Sequence, residues 1–159
     1  MDRFDRAILD LLQTDCTRPQ RQIAQAVNLS APAVQRRIQR LQREGVIRAQ
    51  VALLDPDKVG QPLTVVIEVN LENERPDRTA AMRERIAKED AVQQCYNVTG
   101  ETDYLLVVTV ASMSDYEALT QRLFDGDDNI RRFRTSVVLK RLKVGFKMPL
   151  TQDVHFSAP

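Results

Sequence analysis

Gln20-Arg21-Gln22-Ile23-Ala24-Gln25-Ala26-Val27-Asn28-Leu29-Ser30-Ala31-Pro32-Ala33-Val34-Gln35-Arg36-Arg37-Ile38-Gln39-Arg40-Leu41-Gln42-Arg43-Glu44-Gly45 is the stretch that decides the fold. Ile23, Ala24 and Val27 give a short helix its buried side. Asn28 follows at a turn, where asparagine tolerates the left-handed conformation better than most residues. Ser30 is a good N-cap, and Pro32 sits just inside the next helix. Val34, Ile38 and Leu41 fall at i, i+4 and i+7 and face a core, which turns residues 32, 36, 39, 40 and 43 away from it. Gly45 is the helix stop. Two short helices joined by a tight turn, the second carrying Arg36, Arg37, Arg40 and Arg43, form the arrangement that presents one helix to the major groove of DNA.

Upstream, Phe4, Ile8, Leu11 and Leu12 make a helical stripe, with Asp2 placed to cap it and Asp5 in its first turn, where the helix dipole favours an acid. Thr17-Arg18-Pro19 separates this helix from the next. Ala24 and Ala26 are small enough to let the second and third helices approach. Downstream, Val46 to Leu54 reads as a short extended, strand-like wing. Residues 1–50 therefore read as a winged helix-turn-helix domain, followed over 51–62 by an extended linker that includes the turn-rich Asp55-Pro56-Asp57-Lys58-Val59-Gly60-Gln61-Pro62.

Beyond the linker the apolar period changes from 3.6 to 2. Leu63, Val65, Ile67, Val69 and Leu71 alternate with Thr64, Val66, Glu68 and Asn70. A helix is predicted from about Asp77 to Glu89, strands over Val92–Thr99 and Tyr104–Ala111, and a helix opened by a capping box at Ser114-Asp115-Tyr116-Glu117. The last strand is predicted over Arg134–Val144. This order, β-α-β-β-α-β over residues 63–148, is the ferredoxin-like arrangement, so the whole chain is α+β. Leu105-Leu106-Val107-Val108 is apolar on both faces although helices cover only one. The uncovered face is best satisfied by the same sheet of a second chain, which predicts a dimer. Residues 149–159 read as a tail.

The charge is uneven. Residues 1–54 carry nine arginines against five acids, while residues 55–159 carry fourteen basic and seventeen acidic residues, so a net +1 hides a basic first part. Only one end of the chain is suited to meet phosphate. Cys16 and Cys95 offer no metal-ligand spacing, and His155 is the only histidine, so no metal site or cofactor is expected. With no signal-peptide pattern and no transmembrane run, the chain reads as cytoplasmic.

On the second helix of the motif, Arg36, Arg37 and Arg40 lie where guanidinium groups reach guanine or phosphate. Ser30, Ala31, Ala33 and Gln35 lie near the helix N-terminus, where base edges are approached. Arg48 on the wing, and Arg18 or Arg21, suit phosphates. Any one of these arginines is as readily a solvated surface residue. As a set they repel one another unless a polyanion is present, and the set points to double-stranded DNA.

Over residues 2–148 the chain resembles the Lrp/AsnC (leucine-responsive/asparagine-responsive, or feast/famine) transcriptional regulators. The resemblance rests in the first half on Asp2-Arg3-Phe4-Asp5-Arg6-Ala7-Ile8-Leu9, Leu29-Ser30, Arg40-Leu41, Arg43-Glu44-Gly45-Val46-Ile47 and Ala52-Leu53-Leu54-Asp55-Pro56. In the second half it rests on Val92-Gln93-Gln94-Cys95, Thr99-Gly100-Glu101-Thr102-Asp103-Tyr104-Leu105-Leu106 and Met113-Ser114-Asp115-Tyr116. It implies a homodimer built through the C-terminal sheets and assembling further to a tetramer or octamer. It also implies a small effector, usually an amino acid, near the Gly-x-x-Asp turn at a dimer–dimer interface. Gly100, Asp103 and Tyr104 match that turn. Thr135 matches a hydroxyl residue common on the family's last strand, and Phe133 stands where a second hydroxyl is frequent, which makes that edge more apolar and favours leucine or another apolar amino acid.

A free amino acid needs an acid for its ammonium and amide donors for its carboxylate. Asp103 supplies the first and the backbone around Gly100 the second, with hydroxyls from Thr99, Thr102 or Thr135. Spacing alone is explained as well by a tight turn, with glycine for its dihedral and Asp103 bonding the backbone. Tyr104 fits a core or interface position equally. Two other functions share this architecture: a ligand-insensitive DNA-organising protein, and a sirohaem-decarboxylase-like enzyme. The enzyme is disfavoured because no histidine precedes residue 155 and no nucleophile–base pair is recognisable.

Overall fold

The computed structural model describes residues 1–150, so the predicted tail beyond Leu150 and His155 lie outside the described residues. The chain divides into two compact units, residues 1–52 with the segment from Lys143, and Leu53–Leu142.

The first unit is three helices, α1 (Arg3–Thr14), α2 (Gln20–Val27) and α3 (Ala31–Arg43). At the start of α1 the Asp2 carboxylate accepts from the Asp5 amide, and the Asp5 carboxylate accepts from the Asp2 amide, 2.9 Å each, a complete capping box. Asn28 adopts the left-handed conformation, φ 54° and ψ 47°, at the α2–α3 turn. The Ser30 hydroxyl caps α3 by accepting from the Ala33 amide. Ile8, Ile23 and Val34, all fully buried, with Ala24, Val27 and Ile38, make the core. Ala24 fills the expected inner position, but Ala26 is exposed. Gly45, at φ +71°, ends the last turn, where an L side chain is strained.

Residues 46–54 form no strand in this chain, so the expected wing is an unpaired segment. It leaves Val51, Leu53 and Leu54 about two-thirds exposed. The stretch from Lys143 runs with the first unit. The Met148 amide donates to Gln13 Oε1 at 2.6 Å, and Gln13 Nε2 returns a bond to the Met148 carbonyl at 3.1 Å.

The second unit is β1 (Leu63–Leu71), α4 (Pro76–Lys88), β2 (Val92–Asn97), β3 (Tyr104–Val110), α5 (Met113–Phe124) and β4 (Ile130–Val137). The four strands are antiparallel in the order β2-β3-β1-β4, the ferredoxin-like topology. One sheet face is an apolar core of Val65, Ile67, Val69, Leu106 and Val108 against Met82, Leu119 and Leu123. On the other face Val66, Leu105 and Val107 are half-buried, and Tyr96 is half-exposed.

Three elements differ from their predicted bounds by two residues or more. The last strand runs four residues earlier and stops seven earlier than Arg134–Val144. Its pairing with β1 runs from Leu71↔Ile130 to Val65↔Val137, and a last bond from the Val138 amide to the Thr64 carbonyl closes it. β2 ends at Asn97 because the Val98 amide and the Asn97 side chain both donate to the Asp103 carbonyl and close the hairpin. The cap of α5 is Ser112, not Ser114. Ser112 is extended, and its hydroxyl accepts from the Asp115 amide at 3.1 Å, which puts Ser114 inside the first turn. Ser112→Ala is expected to lower the unfolding free energy of this unit by about 1 kcal/mol. Ser114→Ala, checked in the same urea titration, is expected to leave it unchanged.

Candidate functional site

On α3, the buried stripe Val34-Ile38-Leu41 leaves Pro32, Gln35, Arg36, Gln39 and Arg43 on the exposed side. Ala31 and Ala33 are half-buried in the first turn behind Ser30, so the helix start is smooth and low. Arg48, Arg21 and Ser30 are exposed, and Arg18 is half-exposed. Gln39 belongs to this stripe by helical spacing, although attention to charge alone passes over it.

Arg37 and Arg40, unlike Arg36, have acidic partners. Asp5 is 1 % exposed. Its Oδ1 accepts from Arg37 Nη1 at 2.8 Å and its Oδ2 from Arg40 Nη2 at 2.7 Å. Asp2 Oδ2 accepts from the same Arg37 Nη1 at 2.7 Å. The Arg37 guanidinium also lies over the Phe4 ring, 5.5 Å from its centroid. Partial desolvation works to raise the Asp2 carboxyl, but the Asp5 amide and the Arg37 guanidinium outweigh it and hold it below its ordinary value. The two acids correspondingly raise the Arg37 guanidinium. These acids are what charge counting missed: they read as helix caps, and they are also the partners of α3.

In the second unit Gly100 has φ +125°, a conformation that favours glycine, and open space surrounds the position of an added Cβ. Thr99, Gly100 and Glu101 are exposed, while Thr102 and Asp103 are half-buried. Asp103 Oδ2 accepts from the Leu71 amide at 2.6 Å, and the Asp103 amide donates to the Val69 carbonyl. The Thr102 hydroxyl donates to the same carbonyl at 3.1 Å. Asp103 thus anchors the turn to the end of β1 as the turn reading requires, and Thr102 is likewise engaged.

Tyr104 is buried under α4, its hydroxyl accepting from Arg83 Nε and Nη2 at 3.0 and 2.8 Å. Register fixes the face of β4: Phe133 lies opposite Val69 and Thr135 opposite Ile67, so both point to the helix side. Phe133 packs on Phe124, ring centroids 4.9 Å apart, and the Thr135 hydroxyl bonds the Tyr116 hydroxyl. The expected effector residues are therefore not gathered in one cluster of direct contacts in a single chain. Asn70, which the sequence reading did not single out, ties the turn to β4 through their neighbours Glu101 and Arg132. Buried in β1, it donates through Nδ2 to the Glu101 carbonyl at 2.5 Å and accepts through Oδ1 from Arg132 Nε at 3.3 Å. The sequence carries little signal for it, because Asn70 falls in the alternating positions with Thr64 and Glu68; its burial, which obliges an amide to find partners, is visible only in the structure.

Among the described residues no group of histidine, cysteine and acidic side chains is placed to hold a metal ion. No helix there is long and apolar enough to cross a membrane.

Two family models match the chain, one for each unit. The AsnC-type helix-turn-helix domain matches residues 1–42, and the Lrp/AsnC ligand binding domain matches residues 64–148. An uncharacterised HTH-type transcriptional regulator of Sinorhizobium fredii is 38% identical over 150 residues, 94% of this chain and 89% of the relative. The crystal structure of an AsnC family transcriptional regulator from Agrobacterium tumefaciens superposes with a TM-score of 0.87 at 34% identity, covering 94% of this chain and 97% of that one. A transcriptional regulator from Neisseria meningitidis, solved as its L-Met complex, superposes with a TM-score of 0.84 at 28% identity, covering 94% and 96%. With its helix-turn-helix unit and its βαββαβ unit each matched in place, the chain belongs to the Lrp/AsnC family of DNA-binding transcriptional regulators, which are not enzymes.

Proposed function

We propose that this protein is a cytoplasmic, sequence-specific regulator whose assembly and DNA binding respond to an amino acid held at the Gly100–Asp103 turn between dimers. Ser30, Ala31, Ala33 and Gln35 approach base edges, Arg36 guanine or phosphate, and Arg48, Arg18 and Arg21 phosphates. The apolar strip Val66, Leu105, Val107 and Tyr96 on the uncovered sheet face is the surface a second copy covers. A two-fold dimer then prefers half-sites about 10 bp apart, or a multiple of that spacing.

The observation that carries the effector reading is the exposed Thr99–Glu101 backbone, open around Gly100, beside an Asp103 carboxylate already fixed in place. That carboxylate meets the ammonium group, the backbone amides meet the carboxylate, and Thr99, Thr102 or Thr135 add hydroxyls. Phe133 on Phe124 gives the β4 edge an apolar wall, which favours an apolar side chain such as leucine. By linkage, an amino acid that binds one assembly better than another changes how α3 pairs reach repeated half-sites.

Thermal unfolding against the protein amino acids, one at a time, tests this. An effector at 100 times its dissociation constant is expected to add about 2.7 kcal/mol. Asp103→Asn is the informative variant: it keeps an oxygen for the Leu71 amide but removes the charge, so its shift is expected to vanish while its own midpoint holds. No shift with any amino acid would favour the ligand-insensitive DNA-organising alternative. The internal engagement of Asp103 and Thr102 is the observation on that side.

A further inference from the structure

The four arginines of α3 fall into two classes. Arg36 and Arg43, seven residues apart and therefore on one face, are exposed and have no acidic partner among the described residues. Arg37 and Arg40, three residues apart, turn toward the start of α1. There they share the buried Asp5 carboxylate, and Arg37 also holds Asp2. Asp5 accepts from two guanidinium groups and the Asp2 amide on its two oxygens.

A DNA phosphate that drew either guanidinium away from Asp5 would leave a buried carboxylate short of its partner, the costliest state for such a group. A guanidinium already neutralised by a carboxylate also releases no counterion when it meets DNA. We propose that Asp5 and Asp2 are positioning residues: they hold α3 at its angle and withdraw Arg37 and Arg40 from the phosphate contacts. Arg36 and Arg43 then carry the charge of α3 to DNA. The proposal rests on the DNA-facing reading of the exposed α3 stripe.

Salt dependence separates the two classes, because each phosphate neutralised adds about 0.9 to the slope of log affinity against log salt. The probe is a fluorescently labelled mixed-sequence duplex bound by the full chain and read by anisotropy across a sodium chloride series. Arg36→Ala and Arg43→Ala are each expected to reduce the slope by about 0.9 per bound chain with an unchanged unfolding midpoint. Arg37→Gln is expected to lower the midpoint and keep the slope. Asp2→Asn, a variant that still caps α1 and folds, is expected to keep the slope because Asp5 retains Arg37. A slope made steeper by Asp2→Asn, or shallower by Arg37→Gln, overturns the proposal, since Arg37 would then be a phosphate ligand screened by Asp2. A slope that none of the four variants moves overturns it at its base, the DNA-facing reading of α3.

Discussion

Asp5→Ala is expected to lower the stability of the helix-turn-helix unit by about 3 kcal/mol, at the lower end of what breaking a buried ion pair costs because both arginines keep some access to water. Three things are lost together: two charge-assisted hydrogen bonds to Arg37 and Arg40, and the return half of the α1 capping box. Arg37 keeps Asp2, whereas Arg40 keeps only Glu44 at 3.8 Å. The two units can be followed separately. The chain has no tryptophan, and its three tyrosines, Tyr96, Tyr104 and Tyr116, all lie in the second unit. In urea, far-ultraviolet circular dichroism is expected to show an early loss of helix in the variant while tyrosine emission keeps its wild-type transition. Coincident early transitions in both signals would mean that Asp5 supports more than its own unit.

Leu106→Ala is expected to cost the second unit about 3–4 kcal/mol. Leu106 is fully buried at the centre of the sheet, on β3 between Ile67 of β1 and Cys95 of β2. Its neighbours in the core include Met82, Leu119 and Leu123, each at most 1% exposed, so little slack exists to fill the cavity. Here the tyrosine transition moves and the first unit's helix signal stays. If the second unit joins chains into dimers, the variant also loses tight DNA binding at dilute protein, because two helix-turn-helix units are no longer tethered.

What was legible in the sequence was local. The α2–α3 turn followed from Asn28, Ser30 and Pro32, whose backbone preferences act over a few residues, and the inward faces followed from periodicity. What was not legible depended on a distant partner. Periodicity turns Arg40 away from the core but cannot say that Asp5, 35 residues earlier, waits beside it. Ser112-Met113-Ser114-Asp115 and Ser114-Asp115-Tyr116-Glu117 both spell a cap, and only the backbone at Ser112 decides between them. The start of β4 at Ile130 is set by its pairing with Leu71 across the sheet, which the residues of β4 alone do not reveal. The turn at Gly100 was legible in both its readings. The internal partners of Asp103, Thr102 and Thr135 were not, because they come from the end of β1 and from α5.

Linkage of sequence-specific DNA binding to an amino acid at the Gly100–Asp103 turn can be read on DNA itself. The most direct measurement is anisotropy of an operator selected from random DNA, titrated with the full chain in the presence and absence of each amino acid. One of them, an apolar one by the Phe133 wall, is expected to shift operator affinity, and Asp103→Asn is expected to bind the operator but ignore that amino acid. An operator affinity that no amino acid moves would mean that no such linkage exists.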